Sequence, residues 1–145
     1  MTQKRLLQLV IAIAGLIPVS AGMWGGLRGI AMLGYWGDAA VDSHFRYLSG
    51  LLLGVGVAYW SAIPDIERQG ARISLLTLTV VTGGFFRAFG MLVDGSPGPV
   101  MSGALIVELV VAPLIYLWQL RVARDVSDGP ASIDAPKMDV GPAAR

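Results

Sequence analysis

Four long stretches of this chain are almost free of charge. Residues 6–27 and 47–64 carry no charged side chain, residues 73–93 contain only Arg87, and residues 95–120 contain only Glu108. At 1.5 Å of rise per helical residue, each stretch is close to the length that crosses a hydrocarbon layer about 30 Å thick. Backbone in lipid must satisfy its own N–H and C=O groups, so segments of this kind fold as helices. With 54% hydrophobic and 14% charged residues, the chain carries roughly half the charge of an average soluble domain. A body of 145 residues could not bury that much apolar surface within itself.

The pattern predicts an all-α membrane protein, a four-transmembrane-helix bundle with spans at about 5–27, 44–63, 72–93 and 99–121. Residues 1–124 form the membrane domain. Residues 125–145, rich in Pro, Ala, Gly, Ser and Asp without periodicity, read as a disordered cytoplasmic tail. Lys4, Arg5, Arg68, Arg72, Arg121 and Arg124 fall on one side of the spans, and only Arg28 and Arg46 on the other. By the positive-inside rule both termini are cytoplasmic. A rival reading makes the N-terminus a signal peptide cleaved after Val19-Ser20-Ala21, but the uncharged stretch runs on to Leu27 and favours a retained helix.

Other classes are excluded by composition. A net charge of +1 gives no basic surface for nucleic acid. With no cysteine and one histidine, thiolate metal sites and paired imidazoles within one chain are impossible. No catalytic set, metal site or cofactor-binding motif is assigned. Asp42, Ser43 and His44 are adjacent on one turn and cannot form a triad, and Gly83-Gly84 lies inside a span rather than in a phosphate-binding loop.

Two charges remain inside the membrane. Arg87 lies about 22 Å from the inner boundary and Glu108 about 20 Å, on consecutive antiparallel helices. An unpaired charge there costs several kcal/mol, so a buried Arg87–Glu108 ion pair is expected. One turn further out, Asp42-Ser43-His44-Phe45-Arg46-Tyr47 opens the second span, with Ser43 or Asp42 as its N-cap. Two readings stay open. The charges only fix helix register, or Arg87, Glu108, His44, Arg46 and Tyr47 form a pocket that binds a ligand in the outer half of the bundle. Gly22/Gly26, Gly25/Gly29, Gly50/Gly54, Gly83, Gly84 and Gly90 are expected to pack helices closely, within the chain or against another. Pro18 and Pro113 are expected to kink the first and last spans.

The runs Asp42-Ser43-His44-Phe45-Arg46-Tyr47-Leu48-Ser49-Gly50, Ile63-Pro64-Asp65-Ile66-Glu67, Gly83-Gly84-Phe85-Phe86-Arg87 and Glu108-Leu109-Val110-Val111-Ala112-Pro113-Leu114, with Trp118-Gln119-Leu120-Arg121-Val122-Ala123, resemble a bacterial group of small four-helix membrane proteins, domain-of-unknown-function family 4345. The likeness covers about residues 5–124. It implies an integral location in the bacterial cytoplasmic membrane and carries over no catalytic residue. Three functions follow as expectations. The first is binding of a membrane lipid or other small amphiphile. The second is an accessory or structural subunit of a larger membrane complex, or a homo-oligomer, joined through glycine-rich faces. The third is a small proton-coupled transporter using Glu108.

Overall fold

The computed structural model describes residues 2–127, and these are helical, with no strand among them. Helix α1 runs Gln3–Arg28 and continues as a 3-10 turn, Gly29–Leu33. Helix α2 runs Ala39–Ser61 and α3 Gly70–Asp94. Helix α4 runs Pro99–Ser127 with a π-helical turn at Val107–Val111. Three helices, Gln3–Leu33, Gly70–Asp94 and Pro99–Ser127, are long and apolar enough to cross a membrane. Helix α2 is the exception because Asp42, His44 and Arg46 fall within it; its uncharged part, Tyr47–Ser61, is only about 22 Å long. Of the expected tail, Asp125–Ser127 instead continue α4, and residues beyond them lie outside those described.

Helices α1 and α2 form an antiparallel hairpin with an unusually close contact. A Cβ added at Gly22 would lie 2.5 Å from the main-chain nitrogen of Leu53 and 2.6 Å from the carbonyl oxygen of Ser49. Further along the same seam Gly25 meets Ser49, Val19 meets Gly56, and Gly15 lies under the Trp60 indole. The indole N–H of Trp60 donates to the Ala12 carbonyl at 3.1 Å. The glycine expectation therefore needs correcting in detail. Gly22, Gly25 and Gly29 sit in the seam, but Gly26, Gly50 and Gly54 face open space. One residue of helix turns the side chain by about 100°, so Ser49, Leu53 and Gly56 take the contact that Gly50 and Gly54 miss.

The buried core lies toward the other end of this hairpin. Leu7, Ile11, Ala62, Ile66, Ile73, Ile115 and Val122 form one cluster. Ile66 belongs to the connection between α2 and α3, which makes a 3-10 turn, Ile66–Arg68, and inserts this side chain fully among the helices. Polar groups stitch the insert in place. Gln119 is fully buried and donates to the Ile66 carbonyl at 3.0 Å. Gln8 donates to the Ile63 carbonyl at 2.8 Å, and Lys4 to Glu67 at 2.8 Å. The residues of the signal-peptide reading, Val19-Ser20-Ala21, lie mid-helix, and Leu7 and Ile11 before them are core.

The outward surfaces are apolar. On α3 Leu75, Leu78, Phe85, Phe86, Phe89 and Leu92 are all exposed, Leu92 to 85%. In water such a surface would be a large contiguous apolar patch.

The seam yields a paired expectation. Gly22→Ala forces two backbones apart and should destabilise by about 1–3 kcal/mol, whereas Gly26→Ala, in open space, should be neutral or gain up to about 1 kcal/mol of helix propensity. Thermal midpoints of the two variants in the same detergent would check this.

Candidate functional site

One of the two sequence readings gathers Arg87, Glu108, His44, Arg46 and Tyr47 into one pocket. The structure distributes them over three places, and no hydrogen bond or ion pair joins the three groups among the described residues.

The first place is between α3 and α4. Arg87 grips Glu108 with both arms: Nε donates to Oε2 and Nη2 to Oε1, each at 2.9 Å. The third nitrogen, Nη1, lies 3.3 Å from the Met101 sulfur. Arg87 keeps 33% and Glu108 18% of its side-chain surface exposed, so the pair is half-buried rather than enclosed. Gly84, one turn below Arg87 on α3, lets α4 approach. A Cβ there would lie 2.9 Å from Glu108 Cβ and 2.7 Å from a Leu109 methyl. Pro113 has no N–H to give, and the helix widens ahead of it. The Ala112 N–H reaches back five residues to the Val107 carbonyl. Single wide turns of this kind occur frequently at functional sites. The fork–fork geometry occupies both carboxylate oxygens, and the chemistry left over is small.

The second place is the end of the α1–α2 seam where α1 finishes. Arg46 donates from Nη1 to the carbonyls of Gly26 and Leu27, at 2.8 and 2.9 Å, and from Nε to Asp42 Oδ2 at 2.7 Å. These carbonyls belong to the last turn of α1, where intrahelical donors run out and the dipole is negative, so a guanidinium fits there. The other oxygen of Asp42 accepts from the Ile30 N–H at 2.8 Å. Gly29, at φ +62, has Asp42 and Arg46 so near that no Cβ fits. Arg46 is thus committed to closing α1. The cap of α2 also differs from expectation. The helix starts at Ala39, five residues before the expected 44, and Asp38 accepts from the Ala40 N–H at 2.6 Å. This frees Asp42 for Ile30.

The third place holds His44. The chain from Gly29 to Asp38 arches beside the start of α2 and leaves a hollow of about 480 Å³ between them. Ile30, Leu33 and Trp36 form one wall; Val41, His44 and Leu48 form the other. The lining is largely apolar, and its polar groups are His44, Asp38, the Tyr35 hydroxyl and the Trp36 indole N–H. Tyr47 stays largely exposed, its ring 6.4 Å from that of His44. The sequence points to His44 and to an apolar connection after α1, but no motif in that connection pairs the two. Its half-apolar composition was the available signal. No cluster of three His, Cys, Asp or Glu suited to a metal occurs among the described residues.

Two tests follow from these contacts. Arg87→Ala leaves a carboxylate stranded among apolar groups and should cost about 2–3 kcal/mol, less than for a fully enclosed pair. Replacing both partners by leucine should recover most of that loss, measured as a double-mutant cycle in detergent. The second concerns acid. The Arg46 hydrogen bond, aided by the Ile30 N–H, lowers the Asp42 carboxyl below its ordinary 3.8, and the Lys4 hydrogen bond lowers Glu67 below 4.5. Carboxyls lowered by folding stabilise the protein above their unfolded values and lose that contribution as pH falls through the folded ones. The thermal midpoint should be level from about pH 7 to 5 and drop below about pH 4. Asp42→Asn with Glu67→Gln should flatten the drop.

No curated protein and no solved structure matches this chain. The sequence model of one family, Domain of unknown function (DUF4345), matches residues 6–119. With most of its length so covered, the chain belongs to the DUF4345 family.

Proposed function

We propose that the protein is a four-span component of the bacterial cytoplasmic membrane, with both termini inside, that holds the apolar part of a lipid or similar small amphiphile in the hollow beside His44. The three long apolar helices and the exposed phenylalanines and leucines of α3 support the membrane setting. Helix α2 completes a fourth span when Phe45 and Arg46 reach the interface. Arg5, Arg68, Arg72, Arg121 and Arg124 at one end favour the inward orientation of the termini.

One observation carries the ligand reading. The hollow, at about 480 Å³, has the size of small-molecule sites and their composition, apolar walls with few polar groups. Tyr35 and Trp36 line it, residue types that collect at the membrane interface. An acyl or isoprenoid chain can enter there from the lipid, with His44 and Asp38 facing its polar end. A second reading, an accessory subunit or homo-oligomer, draws on Gly50 and Gly54 of α2 and Gly83 and Gly90 of α3, which leave open faces.

The test fills the hollow. Val41→Trp and Leu48→Trp should each reduce the amphiphile that co-purifies in mild detergent at least several-fold, quantified by mass spectrometry of an organic extract per mole of protein. Arg87→Leu/Glu108→Leu should leave it unchanged. Equal lipid content in all four preparations, wild type included, would remove the hollow as the site.

A further inference from the structure

At the opposite end, α1 and α4 enclose a smaller crevice of about 170 Å³, bounded by Gln3, Trp118, Arg121, Val122 and Asp125. The Trp118 indole N–H donates to Gln3 Oε1 at 3.2 Å and fixes the back wall. Arg121 and Asp125 stand one turn apart on α4, both exposed to the crevice. They are opposite charges at the spacing that often pairs on a helix, yet they are not within 4 Å of each other, nor of any other charged partner among the described residues. Cation before anion is the less favourable order for such a pair. The start of α1 adds partial positive charge, since Thr2 gives it no side-chain cap.

Among the described residues, then, a guanidinium and a carboxylate without ion-pair partners line one small crevice, with room for five or six waters at about 30 Å³ each. A purely anionic headgroup would satisfy the first and repel the second. A ligand with a phosphate and a primary ammonium a few bonds apart satisfies both. The phosphate meets Arg121 bidentately, and the ammonium donates to Asp125. A trimethylated ammonium has no N–H for Asp125 and is bulkier. Trp118 stands at the crevice wall, as indoles do where headgroups begin. We propose that this crevice is a binding site for a phosphoethanolamine group, carried by a phospholipid of the adjoining leaflet or by a free phosphoethanolamine. The site needs the bilayer setting proposed above but shares no residue with the outer hollow.

Full-length protein stripped of lipid in dodecyl maltoside provides the test. Its thermal midpoint is followed as dioleoyl phosphatidylethanolamine, phosphatidylglycerol or phosphatidylcholine is added, with soluble O-phosphoethanolamine as a fourth arm. Phosphatidylethanolamine should raise the midpoint by about 4 °C near saturation, and the other two lipids by less than half of that. Arg121→Gln and Asp125→Asn should each remove the difference, while Arg124→Gln keeps it. Asp125→Asn is isosteric, so its loss cannot be a packing defect. A variant-sensitive shift in the soluble arm identifies the headgroup alone as sufficient, and a shift confined to the lipid arm identifies the phospholipid; each supports the site. Equal shifts with phosphatidylglycerol or phosphatidylcholine, or a shift that survives both variants, would overturn it. A chain that stays monodisperse without detergent would overturn the membrane setting instead.

Discussion

The α1–α2 seam is the contact on which the half of the molecule around Arg46 and His44 depends. Its main chains come together because Gly22 and Gly25 on one helix and Gly56 on the other offer no side chain. In lipid there is little hydrophobic drive between helices, and such small-residue contacts supply association through packing. The close approach also decides what Arg46 can do. Only with α2 this near does its guanidinium reach the Gly26 and Leu27 carbonyls while still holding Asp42. Asp42 in turn anchors Ile30, where the arch toward Asp38 begins. The arch, and with it the hollow beside His44, is thus set by glycines two and three turns away.

The two ends are held by different physics. The end around Ile66 is a conventional core, in which Ile66 and Ile73 pack against Leu7 and Ile115 with Gln119 satisfying the loop backbone. The end around Arg46 and Arg87 has almost no enclosed apolar volume. It relies on two charged contacts, the Asp42–Arg46 clasp and the Arg87–Glu108 fork. Bidentate geometry gives direction that apolar contact lacks, and it does so where α3 and α4 would otherwise touch only through Gly84 and its neighbours. An end built this way has room beside the helices, and the larger hollow lies there.

Some of this is legible in the sequence. Helix positions follow from where charge is missing, and depth along an apolar helix is simple counting, which puts Arg87 level with Glu108. Rotation about the axis is not. The same counting leaves Gly50 and Gly56 equivalent, although only Gly56 meets α1. Partners reached through the main chain are also hidden. Arg46 looks like a ligand-binding cation until α1 ends beside it, because carbonyls leave no mark in a residue pattern. Lys4 reads as a topology signal, and its ion pair with Glu67 depends on the inner connection folding inward around Ile66. Gln119 stands in a run that carries the family resemblance, but nothing in that run marks it as the most deeply buried polar side chain described.

The wide turn in α4 explains why the Arg87–Glu108 fork is a poor place for a ligand. Pro113 removes a donor, and Ala112 turns its N–H to Val107 instead of Glu108, so the Glu108 carbonyl loses its ordinary helical donor. The turn also sets the Glu108 stem against Gly84, where there is no space for movement toward α3. Its carboxylate is then saturated by Arg87, and the remaining arginine nitrogen rests on Met101. A ligand would have to break a charge-assisted fork to bind, against a half-buried pair whose separation leaves both charges poorly solvated. The hollow beside His44 and the crevice between Arg121 and Asp125 ask for no such exchange, because their polar groups are not already spent on one another.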